Sequence, residues 1–392
     1  MENLAEFWTT RSGEENEEFL IPNLHNLCLS DCPRLKFLPY PPRSMVWYLK
    51  KTDEIIPKGG LRKLSSSALP FQMVINHCNF SPENWDRLVH FPTLETFQVE
   101  SCNGLRALPE AIQCFTSLKN LLLRSLKDLE SLPKWLGCLI SLRRVLIEDC
   151  PKITSRPESM KNLTSLRVLW LNGCKGWDIL PEWIGQLISL QHFQIIDCPN
   201  LTSLPESMKD LYSLTDLYIK DCQGLVILPE CLGQIISLQK LQIINCLNLT
   251  SLPESMKDLS SLTKLWIEEC QGLAMLPESL GQIISLQKIY IIDSPNLTSL
   301  PESMKKLTAL RVLCLKECQR LHVLPEWLQE LISLEELNIV SCPNLTSLPE
   351  SIQNLTPLKE LYVWDCPSLV ERCKGEDAGL ISHIPEVTLH YE

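Results

Sequence analysis

Cysteine is the residue of this 392-residue chain whose number and spacing first suggest chemistry. The chain holds 18 cysteines, and thiols can form disulfides, bind metal ions or act as nucleophiles. No C-x-x-C pair with matching histidines accompanies them. We therefore predict a column of small buried thiols, with disulfides or a metal site as the alternatives. Eleven cysteines share one position of a 24-residue spacing: Cys78, Cys102, Cys150, Cys174, Cys198, Cys222, Cys246, Cys270, Cys318, Cys342 and Cys366.

Carboxylates are the second candidates for chemistry. Paired acids such as Glu268 and Glu269 could act as an acid and a base, but they fall on positions that recur in many repeats, which indicates a solvated surface. A glutamate column follows regularly spaced prolines, and we interpret it as stabilising helix starts rather than as an acidic ladder for a basic partner. No phosphate-loop, zinc-protease, nucleophile-elbow or dinucleotide-binding pattern occurs. We predict no enzyme, no cofactor and no metal.

Aromatic residues form the third set, at positions where strand alternation directs side chains outward. Exposed aromatic rows are unusual on a monomer and common in binding hot spots, although stacking within a sheet is the alternative reading. Lys240, Lys264 and Lys288 form a basic strip on one side, and acids such as Asp221 and Asp293 form an acidic strip on the other. The candidate protein-binding residues are Trp170, Tyr218, Trp266, Tyr290, Tyr362 and Trp364.

One repeat shows which elements must position these residues. Leu217 and Ile219 alternate with polar neighbours, which predicts a short strand with one buried face. Pro229 suits the first position of a helical turn, whose buried side is Leu232 and Ile235. Prolines recur every 24 residues without a slip, and this period predicts a solenoid: Pro109, Pro133, Pro157, Pro181, Pro205, Pro229, Pro253, Pro277, Pro301, Pro325 and Pro349.

This strand, turn and helical segment follow the grammar of leucine-rich repeats (LRRs). The predicted fold class is α/β, an LRR solenoid shaped as a horseshoe or arc, with a parallel concave β-sheet and short helical or 3-10 segments on the convex side. The first core position of the strand is apolar in twelve successive repeats, from Phe97 to Leu361. We predict irregular N-terminal repeats over residues 1–92, a regular array over 93–370 and a C-terminal cap over 371–392.

A second period of 48 residues lies on top of the first. The segment that begins at Asn200 and reads N-L-T-S-L-P-E-S-M-K recurs from Asn248 and from Asn296. The intervening repeats carry a Gly-Gln pair instead, at Gly185 and Gly233 among others. The unit of duplication is therefore a pair of repeats.

Composition and charge narrow the partners and the compartment. The net charge is −11 and no basic stripe of useful length occurs, so we predict no nucleic-acid binding. No run of 18 apolar residues occurs, which predicts no membrane span. The first 20 residues show no signal-peptide pattern. We expect a cytoplasmic protein, in which the N-L-T sequons are products of the repeat.

Three features together resemble one family. The repeat L-x-x-L-x-I-x-x-C-x-x-L-x-x-L-P-E resembles the LRR region of plant coiled-coil nucleotide-binding LRR disease-resistance proteins. The C-P-R-L-K-F-L-P block from Cys32 to Pro39 is similar to blocks common in that family. The segment from Arg372 to Asp377, followed by His383-Ile384-Pro385, resembles the usual end of these receptors in grasses. Ala378 stands where that family often has tryptophan.

The resemblance implies a non-enzymatic sensor of intracellular plant immunity. In the family, the LRR recognises a pathogen effector or a guarded host protein and holds a nucleotide-binding switch domain inactive. This chain lacks the nucleotide-binding module, so the switch domain is expected as a partner, in cis or in trans. The alternatives are a general intracellular LRR scaffold or adaptor and a truncated receptor relic, and an enzyme with an LRR substrate reader ranks last.

Overall fold

The computed structural model describes residues 6–7, 24–32, 34–37, 45–53 and 71–391. Two compact units divide the chain, residues 1–177 and residues 178–392. Within each unit the strands run parallel and pair in the order of the sequence. The predicted divisions at residues 92 and 370 stay a prediction.

Among its described residues, the first unit has two small strands that pair with each other, β1 and β3, and seven strands that pair in sequence order, β2 and β4–β9. Its short α-helix α1 carries Ser81 as the N-cap, whose hydroxyl accepts from the N–H of Asn84. The strands and helix are β1 (Glu6–Phe7), β2 (Asn26–Ser30), β3 (Lys36–Phe37), β4 (Val46–Lys50), β5 (Gln72–Asn76), α1 (Pro82–Asp86), β6 (Thr96–Glu100), β7 (Asn120–Arg124), β8 (Arg144–Glu148) and β9 (Val168–Asn172). The 3-10 helices are Arg87–His90, Glu110–Cys114, Lys134–Cys138 and Glu158–Asn162.

The described part of the second unit contains nine strands that pair in sequence order, and the last of them holds Val387. They are β10 (His192–Ile196), β11 (Asp216–Lys220), β12 (Lys240–Ile244), β13 (Lys264–Glu268), β14 (Lys288–Ile292), β15 (Val312–Lys316), β16 (Glu336–Val340), β17 (Glu360–Trp364) and β18 (Glu386–His390), with helix α2 (Pro367–Lys374) before the last. The 3-10 helices are Glu182–Gln186, Glu206–Asp210, Glu230–Gln234, Glu254–Asp258, Glu278–Gln282, Glu302–Lys306, Glu326–Glu330 and Glu350–Asn354.

The core consists of leucine and isoleucine columns that the 24-residue period aligns. Leu217 pairs in register with Leu241, and Leu241 pairs with Leu265. The twelve predicted core positions from Phe97 to Leu361 are all buried, which confirms the strand register. Within the irregular N-terminal repeats predicted over residues 1–92, Leu27, Trp47 and Met73 lie on strands and are buried. Leu38 and Pro39 lie outside the described residues.

In each regular repeat the 3-10 helix begins one residue after the proline, whereas the sequence predicts that it begins at the proline. Pro229 has φ −72° and ψ 151°, which is extended backbone, and the 3-10 helix begins at Glu230. The carbonyl of Pro229 accepts the first hydrogen bond of the helix, from the N–H of Leu232 at 3.1 Å. Proline fits this position because its missing N–H would have no role there. The placement of Pro229 in the first helical position was therefore wrong by one residue.

The cysteine ladder is confirmed as a column of buried thiols. The Sγ of Cys270 donates to the carbonyl of Glu268, two residues earlier, and contacts the carbonyl of Ile243 in the preceding repeat at 3.8 Å. Burial raises the pKa of Cys270 to about 12 and that of Cys246 to about 11. Buried, protonated thiols are inert, so the ladder packs the turn and offers no nucleophile.

The 48-residue period has a packing origin in the 3-10 helices. A side chain at Gly233 would place its Cβ 2.1 Å from the carbonyl oxygen of Ser255 in the next repeat. The same approach recurs at Gly281, whose Cβ would lie 2.0 Å from the oxygen of Ser303. At Gly185, Gly233 and Gly281 the close contact with the facing serine leaves no room for a Cβ. Gln329 stands at the same position of a later repeat, so this close packing belongs to the glycine-bearing repeats, and it accounts for the recurrence of glycine every 48 residues.

A left-handed residue follows almost every strand, which the sequence did not reveal. Asp221 has φ 56° and Asp293 has φ 44°. The N–H of Asp221 donates to the carbonyl of Ile244, at the end of the next strand, at 3.0 Å. Asp, Asn and Ser short side chains tolerate this conformation better than branched ones do. The acidic strip predicted from the sequence is this same column of turn residues.

Candidate functional site

The outward side chains of the second unit form three columns on the exposed sheet face. The central column runs in register through Tyr218, Gln242, Trp266 and Tyr290. It continues through Cys314 to Asn338 and then Tyr362. Strand alternation keeps these side chains out of the core, as the sequence predicts, and all of them are half-buried among one another. Whether they bind a protein stays a prediction.

Trp266 and Tyr290 form the most ordered part of this face. Their rings stack with centroids 4.4 Å apart and an interplanar angle of 28°. The indole N–H of Trp266 donates to Glu268 at 2.7 Å, which fixes the orientation of the ring. Both rings are thus held rigidly at a half-exposed surface. Rigid aromatic side chains lose little entropy on binding, which favours them as contact residues.

Lys264 lies over both rings. Its Nζ is 4.6 Å from the centroid of Trp266 and 5.2 Å from that of Tyr290, within the range of cation–π attraction. Partial burial, together with the neighbouring charges of Lys240 and Lys288, lowers the pKa of Lys264. The three lysines are adjacent in register on β12, β13 and β14. The predicted basic strip therefore covers the aromatic pair rather than only flanking it.

A second aromatic group lies at the C-terminal end of the same face. The rings of Tyr362 and Trp364 are nearly parallel, with centroids 6.1 Å apart, and Trp364 stacks on His390 with centroids 4.1 Å apart. His390 belongs to the last strand and did not figure among the candidate residues. Its alternation with Leu389 placed it outward, so the sequence carried a signal for it. Tyr218 has no aromatic neighbour in register, since Gln242 follows it.

Trp170, the remaining candidate residue, belongs to the first unit. It is 37% exposed on β9, in register with Leu146 of β8. Leu146 is only 9% exposed although it lies on the outward face. Trp170 is therefore more exposed than its apolar neighbour in the same outward column.

The glutamates that follow the prolines act between repeats. The carboxylate of Glu230 accepts from the N–H of Ser255 at 2.9 Å, and Glu278 accepts from Ser303 at 3.1 Å. Each acid thus satisfies an N–H at the start of the 3-10 helix in the following repeat. The prediction that these glutamates stabilise helix starts is confirmed, but the helix stabilised is the one in the next repeat.

Two apolar features on the helical side escaped the sequence analysis. Ile188, Ile236, Ile284 and Ile332 recur every 48 residues and are 51–67% exposed. A cavity of about 750 Å³ opens beside the 3-10 helices, where Ile179 and Ile227 alternate with serines above a row of glutamates. The sequence did carry a signal for the exposed isoleucines, because Ile188 and its equivalents recur every 48 residues and so belong to only one of the two repeat types.

The described residues contain no group of three or more potential metal ligands. None of the described helices is long and apolar enough to cross a membrane. Stacking, cation–π contact and charge are the interactions present on the exposed face, and such contacts are common in protein binding.

Comparison with known proteins agrees with this architecture. Residues 143–271 match the family model described as a leucine-rich repeat region, and residues 333–355 match the model described as Leucine Rich Repeat. None of the curated proteins compared with the chain matches it in sequence.

Solved structures with the same fold come from distant proteins. The LRR domain of the type III effector XopL is 26% identical over 54% of this chain and 73% of its own, with a TM-score of 0.48. An LRR protein of Leptospira interrogans is 21% identical over 89% of this chain and 96% of its own, at 0.49. Toll of Drosophila, solved with Spätzle, is 16% identical over 82% of this chain and 47% of its own, at 0.56. The fold is that of an LRR solenoid, and LRR repeats indicate a module for protein–protein interaction.

Proposed function

We propose that this chain is the sensor part of an intracellular plant immune receptor. In this proposal it acts in the cytoplasm and binds a pathogen effector, a guarded host protein or a nucleotide-binding switch domain. The family assignment within plant immunity rests on the resemblance of the repeat, of the block from Cys32 to Pro39 and of the segment from Arg372 to Asp377. The binding face is the outward face of the sheet, which the sequence predicts to be concave.

One observation carries the choice of face. Trp266 and Tyr290 stack on each other at the sheet surface, while Glu268 holds the indole and Lys264 covers both rings. Such a cluster contributes little to the core, because the leucines beneath it already fill the interior. Rigid aromatics beside charged groups are typical of binding hot spots.

The test compares two double variants in a two-hybrid screen against pathogen effectors and host defence proteins. Trp266→Ala with Tyr290→Ala removes the stacked pair, and Trp266→Ala with Tyr218→Ala removes two members of the same column. Tyr212→Ala with Ile236→Ala is the matched control, because Tyr212 and Ile236 are 64% and 57% exposed outside the strands. We expect the column variants to lose partners that the control retains. Partners retained by all three variants would place binding elsewhere.

Folding and the immune role need separate measurements. Circular dichroism and thermal unfolding of both column variants should match the wild type, and unfolding of both would mean that these aromatics are structural. Plants in which the gene is disrupted should support more pathogen growth than intact plants. Equal growth of a panel of pathogens on both would argue for the alternative of a general scaffold.

A further inference from the structure

The charge of the first outward column of the second unit changes sign along the array. Asp216 precedes the three lysines Lys240, Lys264 and Lys288, and Val312 follows them in register. Beyond Val312 the column becomes acidic, with Glu336, Glu360 and Glu386. The basic part is therefore confined to three adjacent strands, in a chain whose net charge is −11.

Two of the three lysines lack an acidic partner within the described part of the chain. Lys240 pairs with Asp216 at 3.0 Å. Lys264 and Lys288 form no ion pair with a described carboxylate, and Glu268 is engaged by the indole of Trp266. Other lysines on the strands of this face are paired, as Lys316 is with Glu317 at 3.1 Å and Lys220 is with Asp221 at 4.0 Å.

Placing three ammonium groups side by side costs free energy. Parallel strands lie about 4.8 Å apart, so like charges repel within this column. Neighbouring lysines and partial burial both disfavour the charged form of Lys264 and lower its pKa. An arriving carboxylate would relieve this repulsion, whereas an arriving cation would add to it.

The aromatic pair restricts where that carboxylate can lie. Trp266 and Tyr290 stack on each other beside Lys264, whose Nζ lies over both rings, and Lys288 is adjacent to Lys264 in register. The two lysines without an acidic partner, Lys264 and Lys288, lie one strand spacing apart, about 4.8 Å. An extended peptide advances about 3.3 Å per residue, so side chains two residues apart lie on one face about 6.6 Å apart and can reach both ammonium groups. The bound acidic peptide must end before Glu336, because the carboxylates of the column would repel it there.

We propose that the partner presents a short acidic segment, with two carboxylates two residues apart, which binds across β12, β13 and β14 against Lys264, Lys288 and the Trp266–Tyr290 pair, beside Lys240. This inference rests on the proposed binding face and adds the chemistry of the segment that the face recognises. The segment neutralises Lys264 and Lys288, and its backbone or an apolar side chain contacts the parts of the rings that Lys264 leaves exposed.

The test uses fluorescence anisotropy with synthetic ten-residue peptides labelled with fluorescein. One peptide carries two glutamates two residues apart in a Gly/Ser chain with one leucine, the second has glutamine at both positions, and the third has lysine. The probed protein is the full chain, as wild type and as the variant K240Q/K264Q/K288Q. The matched control is K209Q/K257Q/K306Q, which removes the same charge from three exposed lysines of the 3-10 helices.

We expect the glutamate peptide to bind wild type and control alike, with the strip variant weaker by about tenfold, and to bind more weakly as salt is raised. The glutamine and lysine peptides should bind all three proteins more weakly than the glutamate peptide binds wild type. Equal binding of the glutamate peptide to the strip variant and the control would overturn the inference, as would preference for the lysine peptide. Either result would refute the acidic segment but not the proposed binding face. The two-hybrid screen tests the face separately, and a partner that only the aromatic variants lose would still support it.

Discussion

The contact between Gly233 and Ser255 predicts that a single methyl group at this position destabilises the array. The variant Gly233→Ala places a Cβ 2.1 Å from the carbonyl oxygen of Ser255 and 2.6 Å from its carbonyl carbon. These are backbone atoms, so no rotamer change relieves the clash and the two repeats must move apart. Overpacking of this kind costs about 1–3 kcal/mol, and the lower entropy of unfolded alanine offsets about 0.4–1 kcal/mol of it. We expect a net loss of about 1–2 kcal/mol in the free energy of unfolding.

Repetition of the contact sharpens this prediction. Gly185, Gly233 and Gly281 make the same approach, with Cβ distances of 2.2, 2.1 and 2.0 Å to the oxygen of the facing serine. They are two strand spacings apart, about 10 Å, so their effects should add. The triple alanine variant should lose about three times as much as the single one. A control is Gly379→Ala, where nothing lies within 4 Å of the added Cβ.

Urea unfolding followed by circular dichroism measures the loss, and hydrogen exchange of the amides in Glu230–Gln234 locates it. The reasoning would be refuted if Gly233→Ala were as stable as Gly379→Ala. It would also be refuted if the triple variant lost no more than the single one, because a shared adjustment would then replace three independent clashes.

Three further predictions concern the turns and the thiols. Replacement of Asp293, at φ 44°, by glycine should preserve or raise the free energy of unfolding, whereas valine should lower it by about 1–2 kcal/mol, as urea unfolding can show. Alanine at Glu278 removes the acceptor for the N–H of Ser303 and should cost about 1 kcal/mol, whereas alanine at Glu302, which pairs with Lys305 within its own turn, should cost less. Iodoacetamide at pH 8 should label exposed Cys138 in the native protein but should label Cys246 and Cys270 only after unfolding. The reason is that burial raises the pKa of Cys246 to about 11 and that of Cys270 to about 12. Mass spectrometry reads the labelling, and rapid labelling of either buried thiol in the native protein would contradict the packing.

The strand register could be predicted from the sequence because it depends on short-range alternation repeated many times. Leu217 and Ile219 establish one buried face, and the period of 24 carries that pattern to every neighbour. The exposed placement of Trp266 and Tyr290 followed from the same alternation. Their stacking did not, because it depends on rotamers that Glu268 and Lys264 select.

Features that depend on contacts between repeats were beyond the sequence. The position of Pro229 was one residue off because the carbonyl of a residue outside the helix accepts the first hydrogen bond. The left-handed conformation at Glu269 and its neighbours follows from pairing with the next strand rather than from their own preference. The glycine period was visible in the sequence, but its cause lies in packing between repeats so close that an added Cβ would lie about 2 Å from the facing serine oxygen.

That packing also determines how such an array can change in length. Loss of one 24-residue repeat would place two repeats of the same type next to each other. The close contact between a glycine and the serine of the following repeat would then be lost at that junction. Loss or gain of 48 residues restores every glycine–serine contact. We therefore expect a change by an even number of repeats to destabilise the array less than a change by an odd number. Each such event inserts or removes two strands at once, and it shifts the spacing between the lysines and the glutamates on the exposed face in steps of about 10 Å.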